Sequence, residues 1–204
     1  MANDSVLLVE GQDDKHVTTN LLFAHQLDKQ FVVKDKEGID NLTGSLPIEL
    51  RASELKRIGI VVDADTSLTE RWTSLVSILK KAGYADFPKT PSVAGTVVRQ
   101  DGRPTVGIWL MPNNSDNGMI EDFVALLIPA EDPLLPRAQA AIDAIPLENR
   151  PFAPTDRSKA LIHTWLAWQN EPGVRMGAAV TRKYLEPQSP TALTFVAWLN
   201  QLLA

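Results

Sequence analysis

Acidic residues gather at two places where a short apolar run ends. Val6-Leu7-Leu8-Val9 runs into Glu10-Gly11-Gln12-Asp13-Asp14, and Ile58 to Val62 runs into Asp63-Ala64-Asp65. Runs of this length, rich in Val and Ile and bounded by polar residues, read as buried strands. In a parallel sheet the residue just past a strand's carboxyl end faces the crevice where ligands bind. If the two strands are neighbours, Glu10 and Asp63 come within several ångströms of each other. Gly11 lets the chain turn sharply, and Asp14 then opens the next helix facing the same point. Asp63 and Asp65 are alternate residues of an extended chain and are expected to project together. Crowded carboxylates repel, and one takes up a proton unless a counter-ion is present. Magnesium or manganese, which take oxygen ligands, would remove the conflict, orient a phosphate and activate a water. Glu10 is then a ligand or general base, Asp63 and Asp65 are ligands, and Asp14 helps to hold a second ion. The plainer reading is that these acids cap helices: Asp13 the first, Asp65 or Thr66 the one after the third strand.

A third polar stretch runs from Met111 to Phe123 and places Glu121 and Asp122 at the start of a helix. Either could join the acidic group, although acids in a first turn also complement the helix dipole. Gly118 and Glu121 have the spacing of an N-cap and its N3 partner. Lys159 becomes a candidate for stabilising phosphate charge if the C-terminal region folds back over the crevice. Arg157, Arg175, Arg182 and Lys183 offer either a modest basic rim or ordinary solvated helix faces. Trp165 and Trp168 are expected in the core against Trp198.

Positioning these groups requires strands at 6–9, 31–33 and 58–62, separated by helical patterns at 13–27 and 39–55, the second broken at Gly44 and Pro47. A longer helix over 67–82 stops at Gly83. Strand and helix alternating, with strands apolar on both faces, specify an α/β fold with a mainly parallel sheet flanked by helices. Thr96–Arg99 and Thr105–Met111 flank Asp101-Gly102, an antiparallel hairpin signal. Helices follow at 118–128, 134–145, 158–169, 176–185 and 191–203. The expected division is an α/β domain over 1–145 and a helical C-terminal part over 146–204, the two sharing a core.

Composition narrows the chemistry. The 204 residues include no cysteine and three histidines, which excludes disulfides, iron–sulfur clusters and cysteine-ligated zinc. The net charge of −5 argues against a protein that coats nucleic acid through a broad basic face. No phosphate loop, dinucleotide-binding glycine turn, nucleophile elbow or zinc-protease helix occurs. The start lacks the basic and apolar regions of a signal peptide, and no apolar run approaches the ~20 residues that span a bilayer, so a cytoplasmic protein with no membrane partner is expected.

Val9-Glu10-Gly11 followed by Val62-Asp63-Ala64-Asp65 resembles the Toprim fold of topoisomerases, bacterial primases and the overcoming-lysogenization-defect nucleases. The resemblance implies that Glu10, Asp63 and Asp65 bind magnesium for phosphoryl transfer on nucleic acid. Asp14 matches an acidic position of the nuclease branch. Val9 to Asp14, Gly118 to Phe123 and Lys159 to Glu171 further resemble a bacterial family of Toprim-like proteins of unknown function, DUF3226. Tyr84 and Tyr184, the only tyrosines, are not placed as topoisomerase nucleophiles. The expectation is a magnesium-dependent nuclease, with a non-catalytic metal-, nucleotide- or nucleic-acid-binding module, or a protein-interaction domain, as the alternative.

Overall fold

The computed structural model describes residues 4–204. Strand β1 (Ser5–Val9) leads through helix α1 (Gln12–Ala24) to β2 (Val32–Asp35). Helix α2 (Ile39–Glu49) then returns the chain past β1 to β3 (Arg57–Asp63). Helix α3 (Leu68–Lys81) precedes β4 (Thr96–Val98) and β5 (Thr105–Met111), and α4 (Ile120–Ala125), α5 (Leu135–Asp143), α6 (Arg157–Ala167), α7 (Met176–Thr181) and α8 (Pro190–Leu203) complete the order. The five strands lie in the order β2-β1-β3-β5-β4, all parallel except the β4–β5 pair. The mainly parallel α/β architecture and the antiparallel pair match what the residue pattern specifies.

The period of two along each strand divides the core cleanly. Val6, Leu8, Ile58, Ile60, Val62, Ile108 and Leu110 pack with Leu42, Leu46, Trp72 and Leu75 of α2 and α3 on one face. Leu7, Val9, Val61, Trp109 and Met111 pack on the other with residues of α1, α4, α6 and α8. That second core therefore contains side chains from both before and after residue 146. Gly59 and Gly107 are register partners on β3 and β5, and both lie beneath Trp198 of α8. A Cβ at Gly107 would stand 2.9 Å from Trp198 Cζ2, and one at Gly95 2.5 Å from its Cγ. The indole lies in a slot that only missing side chains create.

Several local expectations are corrected. Helix α2 runs unbroken through Gly44 and Pro47, although Pro47, two residues from its end, has no N–H to donate to the Thr43 carbonyl. Strand β2 is shifted to Val32–Asp35 and is a half-exposed edge rather than a buried strand. Helix α4 is shorter than 118–128. Trp165 and Trp198 are buried, but Trp168 is 41% exposed at the C-cap of α6. Arg157 pairs with Asp143 at 2.7 Å and Arg182 with Glu171 at 3.0 Å, so neither stands free in a basic rim. Among the described residues no helix is long and apolar enough to cross a membrane.

Candidate functional site

The chain leaves β1 in one direction, toward β2, and β3 in the other, toward β5. The gap between the carboxyl ends of β1 and β3 is thus the switch point of the sheet, where the flanking connections diverge and open a crevice. Glu10 follows the last residue of β1 and Asp63 is the last of β3. The two are joined directly: the Asp63 backbone N–H donates to Glu10 Oε2 at 3.3 Å.

Asp14, third residue of α1, is only 5% exposed. Its Oδ2 accepts the Gly11 backbone N–H at 3.1 Å, while its Oδ1 is buried with no hydrogen-bond partner. Asp63 Oδ1 is orphaned in the same way. Gly11 itself is extended at φ −143°, a conformation open to any residue, so it is not the sharp turn that its identity suggests. Its amide matters instead, as the donor to Asp14.

The electrostatics agree with the crowding. Burial first, then Asp14 and Glu10, push the Asp63 carboxyl up to about 9. Burial and then Glu10 push Asp14 up to about 7. Burial also raises Glu10 and Glu121 above the ordinary carboxylate range. An orphaned oxygen on each of two buried carboxyl groups is an unmet demand for a proton or a cation.

Asp65 departs from simple alternation. The extended backbone ends at Asp63, and Asp65 lies at φ +52°, bridged to Gly118 by its N–H at 2.8 Å and its carbonyl at 2.9 Å. Its carboxylate is held by Arg71, whose Nε also donates to the Asp63 carbonyl at 2.9 Å. Asp65 still raises Asp63 and Glu10 electrostatically, but one of its two oxygens is committed to Arg71. The sequence offered no motif for Arg71; its position one to two turns into an amphipathic helix after an Asp-x-Asp pair was the available sign.

The pair on α4 is divided. Glu121 is 2% exposed and belongs to the acidic group, acting on both Asp14 and Asp63. Lys159 Nζ stands 3.9 Å from its carboxylate, so the start of α6 does fold back to the crevice. His163, on the same helix, also acts on Glu121. Asp122 instead receives the Met119 N–H at 2.9 Å and the Ser158 hydroxyl. The N-cap is therefore Met119 with Asp122 at N3, one residue later than the Gly118–Glu121 spacing suggests. Asp13 lines a neighbouring cavity with His16 and His163 and touches the group only through its field on Glu121. Replacing Asp122 by Ala is expected to lose the cap and the tie to α6, about 1 kcal/mol. In thermal unfolding that appears as a drop of roughly 2–4 °C for a chain of this size, with any response to divalent cations unchanged.

Among the described residues no three His, Asp or Glu side chains form a ready metal cage. Magnesium does not need one, since it keeps several waters and is commonly held by one or two carboxylates. The orphaned oxygens of Asp14 and Asp63, with Glu10 beside them, suit that mode. A family model described as "Protein of unknown function (DUF3226)" matches residues 4–204. No curated protein and no solved structure matches the chain.

Proposed function

The chain belongs to the DUF3226 family, and from that premise and the acid crevice we propose a magnesium- or manganese-dependent phosphodiesterase acting on nucleic acid, a nuclease, in the cytoplasm. The observation that carries the reading is the pair of buried, partnerless oxygens on Asp14 and Asp63 at the switch point of the sheet. The Toprim-like order of Glu10 and Asp63-x-Asp65 supports the same chemistry. Asp14 and Asp63 hold the cation, with Asp65 able to join from the Arg71 ion pair. A bound divalent cation supplies charge neutralisation at a phosphoryl oxygen and a more acidic water. Glu10 is suited to take a proton, because its burial raises its affinity for one above that of an ordinary carboxylate while the Asp63 amide fixes its orientation. Lys159, exposed and 3.9 Å from Glu121, is placed to meet phosphate charge from the α6 side.

Labelled single- and double-stranded oligonucleotides incubated with magnesium or manganese are expected to be cleaved. Glu10→Gln should slow cleavage by at least ~100-fold, the ordinary worth of a positioned base. Equal rates in wild type and Glu10→Gln would remove the nuclease reading. Cation-dependent stabilisation without any cleavage would leave the alternative, a metal-bearing binding module, which the net charge of −5 favours.

A further inference from the structure

The opposite end of the sheet carries charge of the other sign. Lys56 and Pro104 precede β3 and β5 there, and Lys81 ends α3. Two adjoining cavities, about 490 and 580 Å³, share Leu50, Arg51 and Arg103 as lining. The first adds Lys81 and the second Lys56, and no carboxylate lines either. Lys56 pairs with Asp4 at 2.9 Å. Arg51, Lys81 and Arg103 form no ion pair with a carboxylate among the described residues.

Cations near helix C-termini ordinarily offset the helix dipole, and α2 and α3 both end here. Each helix end carries about half a negative charge. Two ends offset about one of the three unpaired cations and leave about two, in a chain whose net charge is −5. Arg103 also packs against its neighbours Gly83 and Tyr84. Gly83, at φ +89°, gives it room: a Cβ there would stand 2.4 Å from Nη2. The guanidinium lies 5.9 Å from the Tyr84 ring centroid, and the Tyr84 hydroxyl donates to the Pro104 carbonyl at 2.9 Å, fixing the ring. A guanidinium held against bare backbone presents its planar fork with little ordering left to lose, the arrangement suited to phosphate. No aromatic ring lines either cavity, so nothing there stacks on a base.

We infer that this trough binds a ligand with adjacent phosphate groups, whether the backbone of a nucleic-acid strand or free pyrophosphate. The site is distinct from the acid crevice and needs no divalent cation.

The test is run in EDTA, which silences the crevice, using anisotropy of a labelled abasic single-stranded oligonucleotide and calorimetry with pyrophosphate. Three phosphate contacts predict a slope of log K against log salt of about −2, falling in size by about 0.7 for each cation removed. Arg51→Ala and Lys81→Ala, both exposed positions, are each expected to weaken binding about 3–10-fold while lowering the melting temperature by no more than roughly 2–4 °C, the share of the helix dipole that each offsets. Lys80→Ala removes an equal charge one residue away, outside both cavities, and leaves binding unchanged. Pyrophosphate binding tighter than the oligonucleotide assigns a small ligand; the reverse order assigns a strand. No binding of either probe, or an equal loss in Lys80→Ala, overturns the inference.

Discussion

Asp63→Asn raises the melting temperature of the metal-free protein at neutral and alkaline pH and removes its stabilisation by magnesium or manganese. The folded carboxyl of Asp63 is pushed up to about 9 and that of Asp14 to about 7, while an unfolded aspartate titrates near 4. Below pH 4 both states hold these protons, and the stabilisation is fully present. As pH climbs, the unfolded chain gives its protons up while the folded chain keeps them. The folded state then binds more protons, and stability falls with rising pH until the folded values are passed. Asn removes the ionisable group, and with it the charge that crowds Asp14 and Glu10. At pH 8 the gain is expected to be roughly 5 °C or more, shrinking toward zero near pH 4. In wild type a divalent cation that binds only the folded state raises the melting temperature as RT ln(1 + [L]/Kd), increasingly so at higher pH as protons cease to compete. A wild-type melting temperature that is flat from pH 5 to 8.5, with Asp63→Asn neutral or destabilising, contradicts this account of the crevice.

Trp198→Ala is the most damaging single change expected in the core, at about 3–5 kcal/mol, or a fall on the order of 10 °C. The indole is fully buried, tilted against Trp109 at 5.7 Å and Phe195 at 5.4 Å, and its Nε1 donates to the Thr96 carbonyl at 3.2 Å. Gly107→Val attacks the same slot from the strand side, since even a Cβ there stands 2.9 Å from the ring. Because the two changes share one space, Gly107→Ala combined with Trp198→Phe should cost less than the sum of the singles. Thermal unfolding of the four proteins measures that coupling; strict additivity would mean that the ring and the glycines are independent.

What was legible in the sequence followed from period and punctuation. Short Val/Ile runs ending in acids specified β1 and β3, and the sheet brought Glu10 and Asp63 into hydrogen-bond contact. Asp14 was found by its spacing from Glu10, and Lys159 on the condition that the C-terminal region folds back over the crevice, as it does. Periodicity could not decide between Glu121 and Asp122, because one residue of rotation on α4 turns one carboxylate into the crevice and the other back to its own helix start. Asp65 was misplaced because the left-handed bend after Ala64 depends on the bridge to Gly118, a residue fifty-three positions away. Arg71 and Ser158 were missed for the same reason: each acts through a partner on another element. Gly59 and Gly107 carried no sign in the sequence that Trp198 of α8 would lie against them.

The two outer strands of the sheet are of different kinds. β4 has three residues and therefore little backbone to offer. β2 is longer and exposes Val32, but Lys34 and Lys36 pair with Glu49 at 3.0 Å each, and the Asp35 carboxylate takes the Glu37 N–H at 2.8 Å. An incoming strand from another molecule would have to break those ion pairs and bring its own backbone alongside fixed charges. The chain thus guards both margins against self-templated stacking, one by brevity and one by charge, and neutralising Lys34 and Lys36 together is where aggregation would begin.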